Sequence, residues 1–238
     1  MSFFNKNKNN ENNNGTYHDT PGINEIERII TKLDTLKDKR KKQTILITSA
    51  VSGEGKSTIS SYIARSMALN RKNTTLLVDF DLRRSRIHQN FGLTREDGLT
   101  DILKSGLLLE RCVKNTSIPN LQIITSGLLE ENPLNLLKAN LIKDFFNLIK
   151  KSYTNIIIDA PPVMPVSDPL VLAKEVDDVF LVIRAGKTPR NAYKRVIDML
   201  YDVKVEISGI IVNNVDKILP YQYDGRYHGY DYYDSNKY

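Results

Sequence analysis

A single cysteine, Cys112, and three scattered histidines, His18, His88 and His228, are all the thiol and imidazole that this 238-residue chain possesses. One thiol cannot close an internal disulfide, and the histidines have no metal-ligand spacing, so a disulfide scaffold and a zinc site are both excluded. No run of 18 apolar residues is present to cross a bilayer. The opening residues, Met1-Ser-Phe-Phe-Asn-Lys-Asn-Lys8, lack the apolar core of a secretory signal. Together these absences point to the reducing cytoplasm. The length suits one α/β domain with room for tails. The net charge of +6 suits nucleic acid or an anionic membrane face and by itself selects neither.

What the chain does have is organised around Thr44-Ile-Leu-Ile-Thr-Ser-Ala-Val-Ser-Gly-Glu-Gly-Lys-Ser-Thr58. A β-rich apolar run (Ile45, Leu46, Ile47) meets a small-residue loop, and helix is expected from Ser57 to Asn70. A polyphosphate can be cradled by successive backbone N–H groups only where no side chain blocks its approach. The glycines supply that access, and the following helix N-terminus adds partial positive charge. Ser52, Gly53, Glu54, Gly55, Lys56, Ser57 and Thr58 are therefore the expected nucleotide-binding residues. In such a loop Lys56 reaches the β- and γ-phosphates and the Ser57 hydroxyl binds Mg²⁺. The strict pattern asks for glycine where this chain has Ala50, the next smallest residue.

Ahead of the loop, residues 5–14 are mostly asparagine, with Lys6 and Lys8, and are expected to be disordered. Ile23, Ile26, Ile29, Ile30, Leu33 and Leu36 have helical spacing. So marked an apolar face needs a partner, either the domain's own core or another subunit. The helix runs into Lys37-Asp-Lys-Arg-Lys-Lys42, which reads as a solvated link or as a contact for a membrane surface or acidic partner.

Beyond the loop, Thr75–Asp79 reads as a buried parallel strand leading into Asp79-Phe-Asp-Leu-Arg-Arg84. Continued alternation points Asp79 and Asp81 to one side and Phe80 to the other. Asn155-Ile-Ile-Ile-Asp159 is an apolar strand ending in a carboxylate, the Walker B signature. Each aspartate alone could be a turn or cap residue. Three at strand ends in a chain with a phosphate loop favour one site, since open α/β sheets bind ligands at that edge. Gly98–Gly106 reads as a short helix and Leu121–Thr125 as a strand. Pro133 is expected to open a long helix to about Lys151 with Leu134, Leu137, Leu141, Phe145 and Leu148 on its apolar stripe. Ser167-Asp168-Pro169 resembles a helix start, which gives Asp168 a structural role. Val179–Ile183 and Gly209–Asn213 are further core strands, with a helix from Thr188 to about Asp202 between them. Asn213 lies at the ligand edge, where it can bond a nucleobase or make an Asn-Asn turn. This alternation implies α/β architecture, a mostly parallel central sheet flanked by helices on both faces.

Seven of the twelve tyrosines fall in the last 18 residues: Tyr221, Tyr223, Tyr227, Tyr230, Tyr232, Tyr233 and Tyr238. No aliphatic residue follows Leu219, so this tail cannot make a core. Extended at ~3.3 to 3.6 Å per residue it reaches on the order of 60 Å, enough to enter a neighbouring subunit. An adhesive tail and a nucleic-acid stacking segment are two readings. Against stacking, Lys217, Arg226 and Lys237 are balanced by Asp224, Asp231, Asp234 and the terminal carboxylate. The third reading makes these tyrosines substrates of the site.

These motifs resemble the bacterial tyrosine kinases (BY-kinases) of capsular and exopolysaccharide synthesis, over roughly Ile23 to Tyr238. Members of that family look like MinD/ParA-type P-loop ATPases converted to kinases. They carry a Walker A loop (here Ala50 to Ser57), a Walker A′ motif Asp-x-Asp-x-Arg (Asp79, Asp81, Arg83), Walker B (Asp159) and an autophosphorylated tyrosine cluster. The resemblance implies ATP and Mg²⁺ as cofactors. It gives Lys56 to the phosphates, Ser57, Asp81 and Asp159 to the metal, and the tyrosine proton to Asp79, with Asp81 the alternative base. A carboxylate near about 4 is a weak base towards a phenol near about 10, which matters little if the transition state is loose. Arg83 is left to phosphate or a tail carboxylate. Residues 1–22 are then a disordered segment, 23–219 the kinase domain and 220–238 a flexible phosphoacceptor tail.

The implied partners are a membrane adapter of the polysaccharide co-polymerase type, a cognate tyrosine phosphatase and further copies of the chain, without nucleic acid. The implied place is the cytoplasm, at the inner face of the membrane, in the two-protein arrangement of Firmicutes. Two departures stand out. The family's oligomerising Glu-x-x-Arg-x-x-Arg is met by Glu25 and Arg28, but Thr31 holds the third position. The early lysine of MinD/ParA loops is replaced by Val51, which weighs against the alternative of a ParA/MinD-type ATPase switch without kinase activity.

Overall fold

The computed structural model describes residues 21–37, 41–71, 74–128 and 133–215. The asparagine-rich start, the middle of the basic run and the tyrosine tail lie outside the described residues. Seven strands form one sheet: β1 (Gln43–Ser49), β2 (Thr75–Asp79), β3 (Lys114–Asn115), β4 (Leu121–Ile124), β5 (Asn155–Asp159), β6 (Asp178–Arg184) and β7 (Gly209–Asn213). Their order is β3-β4-β2-β5-β1-β6-β7. Every pairing is parallel except the short β3–β4 pair. All seven residues of β1 are buried, as a central strand covered on both faces requires. Its alternation divides the core, Ile45 and Ile47 joining one apolar cluster and Leu46 the other.

Helix α1 (Pro21–Lys37) and α2 (Lys56–Arg71) cover the first face. Ile26, Ile30 and Leu33 are buried with Ile59, Ile63 and Met67 in one cluster, so these three positions of the apolar face of α1 pack into the domain's own core. Burial of such side chains is worth about 1.5–3 kcal/mol each. Ser66 on α2 donates to Glu27 on α1 at 2.5 Å. Glu25 and Arg28 pair with each other, while the Thr31 hydroxyl turns back to the Glu27 carbonyl. The last lysine of the basic run has an internal task. Lys42 Nζ donates to the Lys150 and Lys151 carbonyls, at 2.6 and 2.9 Å, in the last turn of α6 (Ala139–Ser152), where a cation complements the helix dipole.

The other face carries α4 (Leu99–Ser105), α6 and α8 (Arg190–Asp202); α3 (Ile87–Phe91), α5 (Leu109–Cys112) and α7 (Asp168–Leu172) are short pieces in the connections. α4 runs between Gly98 and a left-handed Gly106 cap, as its sequence suggests. The helix expected from Pro133 starts only at Ala139, after a 3₁₀ turn at Pro133–Asn135 and an extended Lys138. The reason lies in its phase. Ile142, Phe145, Phe146 and Ile149 are the buried face, and at 100° per residue a continued helix would bring Lys138 onto that face and turn Leu136 and Leu137 away. Stopping short buries both leucines. Leu148, expected on the stripe, is exposed.

Candidate active site

The loop Ala50–Lys56 joins β1 to α2 at the C-terminal edge of the sheet. Gly53 and Gly55 take φ of +86° and +95°, a region that side chains disfavour. A Cβ on Gly55 would collide with the Asn213 amide, whereas the space over Gly53 is open. Asn213, at the end of β7, donates its amide N–H to the Glu54 carbonyl at 2.9 Å. The Glu54 side chain faces inward and is buried. It accepts the Val51 N–H at 2.9 Å and the Thr188 hydroxyl. Thr188 in turn accepts the Arg184 N–H at 2.8 Å, and the Arg184 guanidinium reaches the Gly53 carbonyl at 3.4 Å. The loop is thereby stitched to the β6–α8 connection and to the end of β7.

Its opposite flank is charged. Lys56, at the start of α2, places Nζ 2.7 Å from Asp81 Oδ2 and 3.5 Å from Ser57 Oγ. Asp79 and Asp159 end adjacent parallel strands in the same register. All three carboxylates are buried, while Phe80 turns into the core, stacked 6.1 Å from Phe146. Asp79 Oδ2 accepts the Ser85 hydroxyl at 2.7 Å and the Ile87 N–H at 3.3 Å; Oδ1 accepts the Asp81 N–H at 3.1 Å. Ser60, one turn into α2, donates to Asp159 Oδ1 at 3.2 Å.

Burial and the neighbouring Asp159 carboxylate push Asp79 up to about 7, against the hydrogen bonds from Ser85 and Ile87. The ordinary carboxylate expected there is corrected accordingly: desolvation leaves Asp79 well above the usual carboxylate range. Asp159 is raised by burial too, while Lys56 and the Ser57 and Ser60 hydroxyls pull it down. Burial alone would lower Lys56, but Asp159, Asp81 and Asp79 together hold its ammonium above its usual value.

Lys56, Ser57, Asp79, Asp81 and Asp159 thus converge as their sequence positions suggest, and Ser52, Gly53, Glu54, Gly55 and Asn213 lie along the loop, with Thr58 in the first turn of α2. Tyr221, Tyr223, Tyr227, Tyr230, Tyr232, Tyr233 and Tyr238 lie outside the described residues. Arg83 is paired with the buried Asp168 at the start of α7. Ser60, Ser85 and Thr188 were not legible as site residues. Ser60 alone has a signal, four residues after Lys56 on one helix face.

The donor set fits a magnesium nucleotide. Asp159 Oδ2 is buried and has no hydrogen-bond partner among the described residues, as an oxygen facing a metal or its water would be. Those residues contain no group of three His, Cys, Asp or Glu side chains able to hold a metal. Mg²⁺ needs none, because it takes most of its ligands from phosphate and water.

The AAA-domain family AAA_31 matches residues 42–204, more than half of the chain. The tyrosine-protein kinase YwqD of Bacillus subtilis (strain 168) is 32% identical over 185 residues, covering 78% of each chain. The putative tyrosine-protein kinase EpsB of Ralstonia nicotianae (strain ATCC BAA-1114 / GMI1000) is 31% identical over 215 residues, 90% of this chain but 28% of that protein. The chain therefore spans less than a third of the length of the EpsB relatives it matches. In structure it is similar to the chimerical protein CapA2B2, with a TM-score of 0.76, 26% identity and coverage of 81% of this chain and 84% of that one. The septum site-determining protein MinD of Pyrococcus horikoshii OT3, complexed with Mg-ADP, shares the fold at a TM-score of 0.59 and 22% identity, over 72% and 70% of the two chains. A phosphate loop flanked by two strand-end aspartates and by Asp81 just beyond β2, in a chain so similar to YwqD, places this protein in the P-loop family of bacterial tyrosine kinases.

Proposed function

We propose that the chain is a Mg·ATP-dependent protein tyrosine kinase that phosphorylates its own tyrosine-rich tail, mostly between subunits, and thereby regulates capsular or extracellular polysaccharide synthesis and export. The observation that carries this reading is Lys56 held 2.7 Å from Asp81 at the mouth of the loop, among buried strand-end carboxylates. ATP supplies the phosphoryl group, and Mg²⁺ neutralises the charge on it. Lys56 binds the β- and γ-phosphates, Ser57, Asp81 and Asp159 hold the metal and its water, and Asn213 borders the base. Asp79 accepts the tyrosine proton, a role supported by its raised pKa. The acceptors are Tyr221, Tyr223, Tyr227, Tyr230, Tyr232, Tyr233 and Tyr238.

No helix among the described residues is long and apolar enough to cross a membrane. A membrane adapter of the co-polymerase type recruits and activates the kinase at the inner face of the membrane, and a cognate phosphatase resets it. Each phosphate adds about −1.5 to −2 charges, so the unphosphorylated oligomer assembles and the phosphorylated one separates. Intact mass of the chain co-expressed with its adapter, before and after tyrosine phosphatase, tests the reading beside Lys56→Met. A ladder of phosphates on Tyr221 to Tyr238 that vanishes in the variant is the expected result. A single unmodified species that still turns over ATP would replace the kinase by an ATPase switch.

A further inference from the structure

The arginines around the loop have different commitments. Arg83 sits on the buried Asp168 carboxylate. Arg184 approaches from β6 and donates to the Gly53 carbonyl at 3.4 Å, on the flank where Ala185 N–H bonds the Asn213 carbonyl. Arg84 stands on the flank of the carboxylates. It is exposed, and its Nη1 donates to Ser52 Oγ at 3.2 Å. Its backbone N–H donates to Asp81 Oδ1 at 2.9 Å, while the other oxygen of that carboxylate holds Lys56 Nζ at 2.7 Å. One buried carboxylate therefore sets the position of two cations, Lys56 by its side chain and Arg84 by its backbone. Lys56 marks the β/γ end of a bound polyphosphate. Ser52 precedes Gly53, over which the space is open.

We propose that Arg84 is a phosphate-binding residue supplied in cis, its guanidinium exchanging Ser52 for the terminal phosphate of bound ATP. This rests on the ATP-site reading above and adds a second cation to it. The exchange is favoured because a charge-assisted bond to phosphate is roughly twice as strong as one to a neutral hydroxyl, and the guanidinium fork matches two phosphate oxygens at once. The contact exists only when a third phosphate is present, so Arg84 discriminates ATP from ADP.

Titration calorimetry of the full chain with Mg·ADP and with Mg·ATPγS tests the assignment without relying on turnover. For Arg84→Ala the Kd for ADP is expected to stay within about twofold, while that for ATPγS rises about tenfold, the equivalent of one such contact. Arg84→Lys, which keeps the charge and loses the fork, should recover part of the difference. Arg86→Ala, at an exposed arginine bonded to Gln89 at 3.1 Å, should leave both constants unchanged. Equal weakening of the two nucleotides would reduce Arg84 to a prop for the loop and overturn the proposal, as would no change in either. A wild-type chain that binds both nucleotides but phosphorylates no tyrosine would refute the kinase reading alone, with Arg84 still judged by its ADP/ATPγS ratio. One that binds neither would overturn both.

Discussion

The two flanks of the phosphate loop are held by different physics. On the β6–β7 side the loop is stitched by hydrogen bonds: Glu54 to Val51 and Thr188, Asn213 to the Glu54 carbonyl, Arg184 to the Gly53 carbonyl. These fix a shape and leave little net charge. On the β2–β5 side one ammonium faces three buried aspartates, two of which have pKa values raised by burial. That flank is electrostatically unfinished, and one more cation would complete it. A loop held rigid on one side can present its backbone to phosphate while the other side responds to protons and metal.

The strongest way to break this contrast is Lys56→Met. It removes the cation from the charged flank and leaves the stitched one untouched. Phosphotransfer should fall on the order of 10³-fold, measured as phosphotyrosine formed per unit time, with the far-UV dichroism unchanged. Next comes pH. Asp79 sits at about 7 in the folded chain against an ordinary 3.8, so between those values the folded state holds a proton that the unfolded state has released. The stability this site contributes is therefore greatest below the ordinary value and drains as pH rises through about 7, at no more than about 1.4 kcal/mol per pH unit. Asp79→Asn should flatten that slope, as read by thermal melts of both proteins from about pH 5 to 8. Parallel melting curves for the two would count against a buried acid.

On the stitched flank, Glu54→Ala should cost about 2 kcal/mol, the range for hydrogen bonds to a charged acceptor. Glu54→Gln keeps an acceptor for the Val51 N–H and should recover about half of it. Neither change should alter the pH slope, and a shift in it would show that the two flanks are coupled. The smallest effect is expected from Thr188→Val, which removes one hydroxyl from Glu54, at about 1 kcal/mol by denaturant unfolding.

The parts of this architecture that were legible in the sequence share a cause. β2, β5 and β7 are short apolar runs that end on Asp79, Asp159 and Asn213, so a change of polarity marks the boundary and the functional edge together. α2 has its expected buried positions because Ile59, Ile63 and Met67 repeat at helical spacing. Local pattern failed at α6, where leucines outside the helical phase looked like its continuation. It also had no access to the contacts that shape the site. Thr188 lies 134 residues from Glu54, and Asp168 lies 85 from Arg83. Nothing periodic links such pairs, and only the parallel sheet brings them together. The raised pKa of Asp79 was hidden for the same reason, because burial and the facing Asp159 are tertiary facts.

The matching register of Asp79 and Asp159 on adjacent strands has a thermodynamic consequence. Two buried carboxylates on one rung cannot both ionise cheaply, so near neutral pH the pair retains part of a proton. On the Mg·ATP reading proposed above, a divalent cation held beside Asp159 would favour both ionised forms, and that proton would be released. Binding is then an ion exchange, and its heat includes the ionisation enthalpy of whatever buffer takes the proton up. Titrations in PIPES and in Tris, at one pH, would share one Kd and differ in apparent enthalpy, and the slope against buffer enthalpy would count the protons released. Rising alkalinity would weaken the empty fold and, on that same reading, tighten its grip on the cation in one step.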